Sequence, residues 1–70
     1  MTLLRADSAQ VSWDQEKSKW LIRIQVGAEV IRRHCDQPRD TSPDKVREAA
    51  VQTARDEGYE LDASSVTIQQ

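Results

Sequence analysis

Cysteine and histidine are almost missing from this chain, with one of each at Cys35 and His34. No internal disulfide can close, and the four ligands of a structural zinc site cannot be assembled. Phenylalanine is absent, and two tryptophans and one tyrosine make up the whole aromatic complement. No apolar run approaches the roughly 18 residues that cross a bilayer. The start, Met1-Thr2-Leu3-Leu4-Arg5, lacks the charged and apolar regions of a secretory leader. The expectation is a cytoplasmic chain with no membrane contact, no metal and no cofactor. Glycine and proline occur twice each, at Gly27, Gly58, Pro38 and Pro43. That is too sparse for a linker, and each falls where a secondary-structure element should end. There is no repeat and no low-complexity tract.

What is there describes one small domain over residues 1–70, with 37% hydrophobic and 31% charged residues. A chain this short buries only about 60% of the surface its unfolded form exposes, so its stability is expected to be marginal or to be raised by a partner. Ten basic against twelve acidic side chains give a net charge of -2, which is not the footprint of a protein basic over its whole surface. Residues 1–40 carry seven basic and six acidic side chains (+1), whereas residues 41–70 carry three and six (-3). Any anion-binding surface must therefore come from the first half.

Ala9 to Asp14 alternates small or apolar residues with polar ones, the period-2 pattern of a half-buried strand. After the polar turn Gln15-Glu16-Lys17-Ser18, Lys19 to Val26 puts Trp20, Ile22, Ile24 and Val26 on one face and Leu21, Arg23 and Gln25 on the other. Gly27-Ala28 suits a two-residue type II′ turn, and Glu29 to Cys35 returns as a third strand. These loop lengths specify a register. Val26 closes opposite Glu29, which pairs Ile24 with Ile31, Ile22 with Arg33 and Trp20 with Cys35. In the first hairpin Trp13 meets Trp20, Val11 meets Ile22 and Ala9 meets Ile24. Partners across an antiparallel pair share a face, so one face collects both tryptophans and the isoleucines, interrupted only by Arg33. Arg33 is expected on the outer edge of the third strand, its stem over apolar surface and its guanidinium in water.

A helix is expected over about 43–57. Thr41-Ser42-Pro43-Asp44 offers a hydroxyl N-cap, a proline for the first turn and a carboxylate at the positive end of the dipole, and Gly58 supplies a left-handed stop. Val46, Ala49, Ala50, Thr53 and Ala54 form one stripe of small residues, which permits close approach to the sheet while the tryptophans fill the volume. Val66 and Ile68 alternate with polar residues in a short last strand, and Tyr59 and Leu61 close the bottom of the core. The expected fold is α+β: an antiparallel three-stranded meander, one helix on its tryptophan-bearing face and a short C-terminal fourth strand, in the order β-β-β-α-β.

The register that builds the core sets Arg23 directly opposite Arg32 on the other face. Like charges so placed repel unless solvent screens them or an anion sits between them. Lys19 and His34, with Gln10 and Ser12, are expected to surround the pair with further donors, making Lys19, Arg23, Arg32 and His34 the candidate binding residues for phosphate, carboxylate or a nucleic-acid backbone. The competing reading is a solvated face on which the arginines splay apart or pair with Asp14 and Glu29. No aromatic residue interleaves them, which disfavours stacking of single-stranded bases.

The stretch Lys19-Trp20-Leu21-Ile22-Arg23-Ile24, a further strand, and Asp40-Thr41-Ser42-Pro43-Asp44 leading to Ala49-Ala50 and Ala54 resembles the DNA-binding domains that carry three strands and then a helix. That resemblance implies a sheet laid in the major groove. It covers roughly 45 residues and lacks that family's Arg-Gly-rich first strand and the Gly-x-Phe-x-Thr start of its helix.

His34-Cys35-Asp36 invites a catalytic or metal reading, but consecutive strand residues point to opposite faces, so imidazole and thiol diverge. No serine stands in a nucleophile-elbow context and no glycine-rich phosphate loop is present. The chain is expected not to be an enzyme. Ser42-Pro43 also reads as a phosphorylation site, which the N-cap role explains without modification. The leading functional expectation is a small non-catalytic interaction module with a protein partner or a second copy of itself. DNA or polyanion binding through Arg23 and Arg32 is the alternative.

Overall fold

In the computed structural model, which describes residues 4–69, the chain runs β1 (Leu4–Arg5), β2 (Ser8–Asp14), β3 (Lys19–Val26), β4 (Glu29–Cys35), α1 (Pro43–Asp56), β5 (Tyr59–Glu60), a 3₁₀ turn (Ala63–Ser65) and β6 (Val66–Gln69). Met1, Thr2 and Leu3, part of the stretch read above for a leader, lie outside the described residues.

Two turns set the sheet. Asp14 ends β2 and organises the loop after it, its Oδ1 accepting from the amides of Glu16 at 3.1 Å and Lys17 at 3.3 Å, while Ser18 takes a left-handed φ of 52°. At the second turn Gly27 has a φ of 59° and Ala28 stays at negative φ, the combination a type II′ turn requires. Asp7 clasps that turn, its Oδ2 accepting from Gly27 N at 2.8 Å. Between these turns every pairing expected from the sequence is present, from Val26 opposite Glu29 to Trp20 opposite Cys35 and from Ala9 opposite Ile24 to Trp13 opposite Trp20.

The meander and the helix on one face are as expected, but the C-terminal strand has a more specific place. Strand order is β4-β3-β2-β6, with β6 parallel to β2 through Ala9 opposite Val66 and Val11 opposite Ile68. A parallel partner needs a long crossover, and α1 with the segment after it provides one, carrying the chain from β4 to the open edge of β2. This parallel strand departs from a plain three-strands-then-helix order. A second departure is a two-stranded parallel pairing of β1 with β5, Leu4 opposite Tyr59 and Arg5 opposite Glu60, elements too short to leave a periodic signal.

The core lies between the sheet and α1. Ile22, Ile24, Val11 and Val46 are fully buried, joined by Ala9, Ala50, Ala54, Trp20, Leu61 and Val66. Trp13 packs edge-on against Trp20, ring centroids 5.5 Å apart at 78°, and remains half-buried at the rim with Tyr59 and Ile68. The Trp20 indole donates Nε1–H to the Pro38 carbonyl at 2.9 Å, tying the segment before α1 to the sheet.

Of three local expectations, the helix stop is met and the other two are corrected. Ser42 occupies the N-cap with extended dihedrals, but its hydroxyl makes no capping hydrogen bond; only its carbonyl engages the helix, accepting from Val46 N at 3.0 Å. The helix ends at Asp56 with Glu57 as C-cap, and Gly58 follows at φ 90°, donating to Arg55 O at 3.0 Å. Arg33 does not simply extend into water. Its Nε pairs with the Glu57 carboxylate and its Nη1 donates to the Arg32 carbonyl at 2.7 Å, so an arginine breaking an otherwise apolar face holds the end of α1 to β4. This arrangement sets a contrast in stability. Trp20→Ala is expected to cost about 3–5 kcal/mol, enough to unfold so small a domain, whereas Ser42→Ala costs less than about 0.5 kcal/mol, below the ~1 kcal/mol of a working cap. Urea denaturation of the two variants checks both, and a Ser42→Ala loss of a full 1 kcal/mol would restore the capping role.

Candidate functional site

The single helix covers one face of the sheet and leaves the other open, where residues of the opposite parity stand in rows across the strands. The central row reads Arg32, Arg23, Gln10 and Thr67 from β4 to β6; the next reads His34, Leu21, Ser12 and Gln69; on the other side stand Val30, Gln25 and Ser8. Because a two-residue turn makes Val26 and Glu29 a hydrogen-bonded pair, alternation makes Arg23 and Arg32 a non-hydrogen-bonded pair, the kind whose side chains approach most closely. Two unit charges about 6 Å apart repel by roughly 0.7 kcal/mol in water and 3 kcal/mol at an effective dielectric of 20.

The four candidate cations do not behave alike. Lys19 Nζ lies 3.1 Å from Asp36 Oδ1, and His34 Nε2 lies 3.1 Å from Asp14 Oδ2. Both are occupied by carboxylates at one end of the face. Arg23 and Arg32 have no carboxylate within ion-pairing distance among the described residues, so they do not take the Asp14 and Glu29 partners weighed from the sequence. Arg23 Nη2 donates to Gln10 Oε1 at 2.9 Å, while its Nε is buried and has no hydrogen-bond partner. A desolvated donor left unpaired costs about 1–3 kcal/mol. Around the pair lies a concavity of about 240 Å³ lined by Ser8, Gln10, Arg23, Gln25, Val30 and Arg32. Its polar lining holds hydroxyl, amide and guanidinium groups and no carboxylate.

Ser8 was not among the residues placed on this face from the sequence, although the same register carried one row further sets it beside Gln25 and Val30. Other concavities hold charges of both signs or an arginine already engaged. A groove of about 600 Å³ between α1 and Ala63 mixes Arg47 and Arg55 with Asp44 and Glu48, and a cleft of about 340 Å³ at the start of α1 has Arg39 already stacked 5.9 Å over the Trp13 ring.

Asp14 and His34 form a dyad at the edge of the face. The hydrogen bond from His34, with the loop amides of Lys17 and Glu16, holds the Asp14 carboxyl below its ordinary 3.8 against a smaller opposing effect of desolvation. Cys35 points to the other side, opposite Trp20, and partial burial pushes its thiol above the usual value and keeps it protonated. Imidazole and thiol diverge, as strand alternation requires. No group of three or more His, Cys, Asp or Glu side chains is placed to hold a metal ion among the described residues, and no helix is long and apolar enough to cross a membrane. Comparison with protein-family models, with curated proteins and with solved structures found no match.

A carboxyl depressed in the fold stabilises it fully above the unfolded value and ceases to do so as pH falls through the folded one. Carbon-detected titration of Asp14 is therefore expected to show a midpoint below 3.8 that moves back toward that value in His34→Ala; an unmoved midpoint would remove His34 as the main cause. The arginine pair has its own signature. Arg32→Thr relieves the repulsion and suits an exposed strand, so it is expected to stabilise the protein by about 0.5–1 kcal/mol at low salt, shrinking at high salt. A loss of stability, or no dependence on salt, would identify the pair as an ordinary solvated surface.

Proposed function

We propose that this chain is a small non-catalytic interaction module that engages a protein partner through the open face of its sheet. One observation supports the reading above others: two guanidinium groups without carboxylate partners face each other at the centre of the uncovered surface, one with a buried and unsatisfied Nε. A stable fold gains nothing from this arrangement, whereas a bound anion relieves the repulsion. The non-catalytic part rests on the divergence of His34 and Cys35 and on the engagement of His34 by Asp14.

The second reading is a DNA or polyanion binder that uses the same two arginines, favoured by the same unpaired charges. A binding assay on immobilised duplex DNA separates the two. The protein module is expected to show no retention at 50 mM salt. Retention that weakens with salt and loses about two counterions from its slope in Arg23→Gln/Arg32→Gln supports the nucleic-acid reading instead. For the leading reading, proteins captured from a lysate of the source organism are expected to be lost in that double variant and kept in Arg47→Gln/Arg55→Gln on the helix. Equal capture by both variants would overturn the assignment of the sheet face.

A further inference from the structure

Resting on the sheet face as the working surface, we infer that the Arg23–Arg32 concavity is a socket for a single carboxylate side chain, presented by an acidic segment of a partner protein with an apolar residue beside the acid. The charge arrangement on this face excludes the other occupants in turn.

A second copy of the chain fits poorly. Pairing two such faces, or two β4 edges about their midpoint, brings Arg32 against its own counterpart and sets four guanidinium groups together. The edge of β4 is also guarded. The residues whose backbone groups point away from β3 are Val30, Arg32 and His34, and the Arg32 carbonyl already accepts from Arg33 Nη1 at 2.7 Å, a charged side chain folded over the edge in the manner that discourages strand addition. The ligand therefore lies on the face.

A nucleic-acid backbone fits poorly for a different reason. Such a backbone needs a track of free cations at successive phosphates, and on this face the lysine beyond the two arginines already has a carboxylate partner. Lys19 lies against Asp36 and His34 against Asp14 at one end of the face, while Asp7 sits at the Gly27 turn at the other. A long polyanion laid along the strands through Arg23 and Arg32 meets the Asp36 and Asp14 carboxylates at one end of the face. One isolated carboxylate does not.

The socket matches that group in detail. A carboxylate accepts from the terminal nitrogens of two guanidinium groups at once, and Ser8, Gln10 and Gln25 contribute neutral polar groups at its rim. Val30, 44% exposed, lines the same concavity, and Leu21 stands half-buried in the neighbouring rows. Val30 gives the residue beside the acid an apolar contact that a sugar-phosphate chain does not use. The ligand class is thus an Asp or Glu next to a Val, Leu or Ile in an extended segment.

The test uses the whole chain and follows backbone amides and arginine Nε–H resonances by NMR. Three probes are added in turn: an end-blocked octapeptide with one Glu beside one Val in a Ser/Gly background, its twin with Gln in place of Glu, and a 12-base-pair DNA duplex. The Glu peptide is expected to shift Arg23 Nε–H and the Gln10 and Gln25 amides with half-saturation on the order of 1 mM. The Gln twin is expected to be at least ~10-fold weaker, and Arg23→Gln/Arg32→Gln to abolish the response. Peptide shifts confined to another surface would sink the socket while leaving an interaction module in place. Equal binding of the two peptides would likewise sink it. Duplex DNA moving the arginine resonances at lower concentration than the peptide would overturn the carboxylate in favour of phosphate, and silence with all three probes would overturn both the socket and the working face.

Discussion

The register of the β2-β3-β4 meander is the constraint on which the rest of this molecule depends. Gly27 at positive φ and the Asp14-organised loop close two hairpins whose lengths leave one way of pairing the strands. A slip of one residue would turn Ile22, Ile24, Val11 and Trp20 to water. Each of those side chains contributes about 1.5–3 kcal/mol by burial, and together they outweigh a repulsion of roughly 0.7–3 kcal/mol between two charges placed as Arg23 and Arg32 are. The arginines cannot escape each other by re-pairing the sheet. Their juxtaposition follows from the core on the opposite side.

The two faces divide the work. On the covered side a stripe of small helix residues lies close to the sheet, Trp20 fills the gap, and two polar ties hold the helix ends: the Trp20 indole to the Pro38 carbonyl before α1, and Arg33 to Glu57 after it. Leu61 and Val66 extend that core beyond the meander. On the open side nothing packs, and the side chains there are free to be chosen for contact. Of the basic groups on that face, Lys19 and His34 are spoken for by Asp36 and Asp14. Arg23 and Arg32 differ from these by their lack of such a carboxylate, which is why the functional reading rests on them and not on the local excess of positive charge.

Much of this was legible in the residues. The three strands, their register, the inward tryptophans, the helix with its glycine stop, and Arg23 opposite Arg32 all follow from period-2 alternation and turn chemistry, which act over a few residues and leave a pattern in sequence order. The hydroxyl cap did not follow, because Ser42 meets the cap pattern equally well whether or not its side chain turns inward. The brief β1-β5 pairing and the parallel docking of β6 on β2 did not follow either: each joins segments some fifty residues apart, and neither segment is long enough to announce its partner.

The same division runs through the candidate site. Sequence alone determined which side chains share the open face, since strand parity is set by counting. It did not determine which cations remain available there. That was decided in three dimensions, where Asp36 reaches Lys19, Asp14 reaches across the strands to His34, and the Arg23 Nε loses its water beneath its neighbours. Charge pairing depends on distances through space between groups far apart in the chain, and local patterns carry no information about those distances.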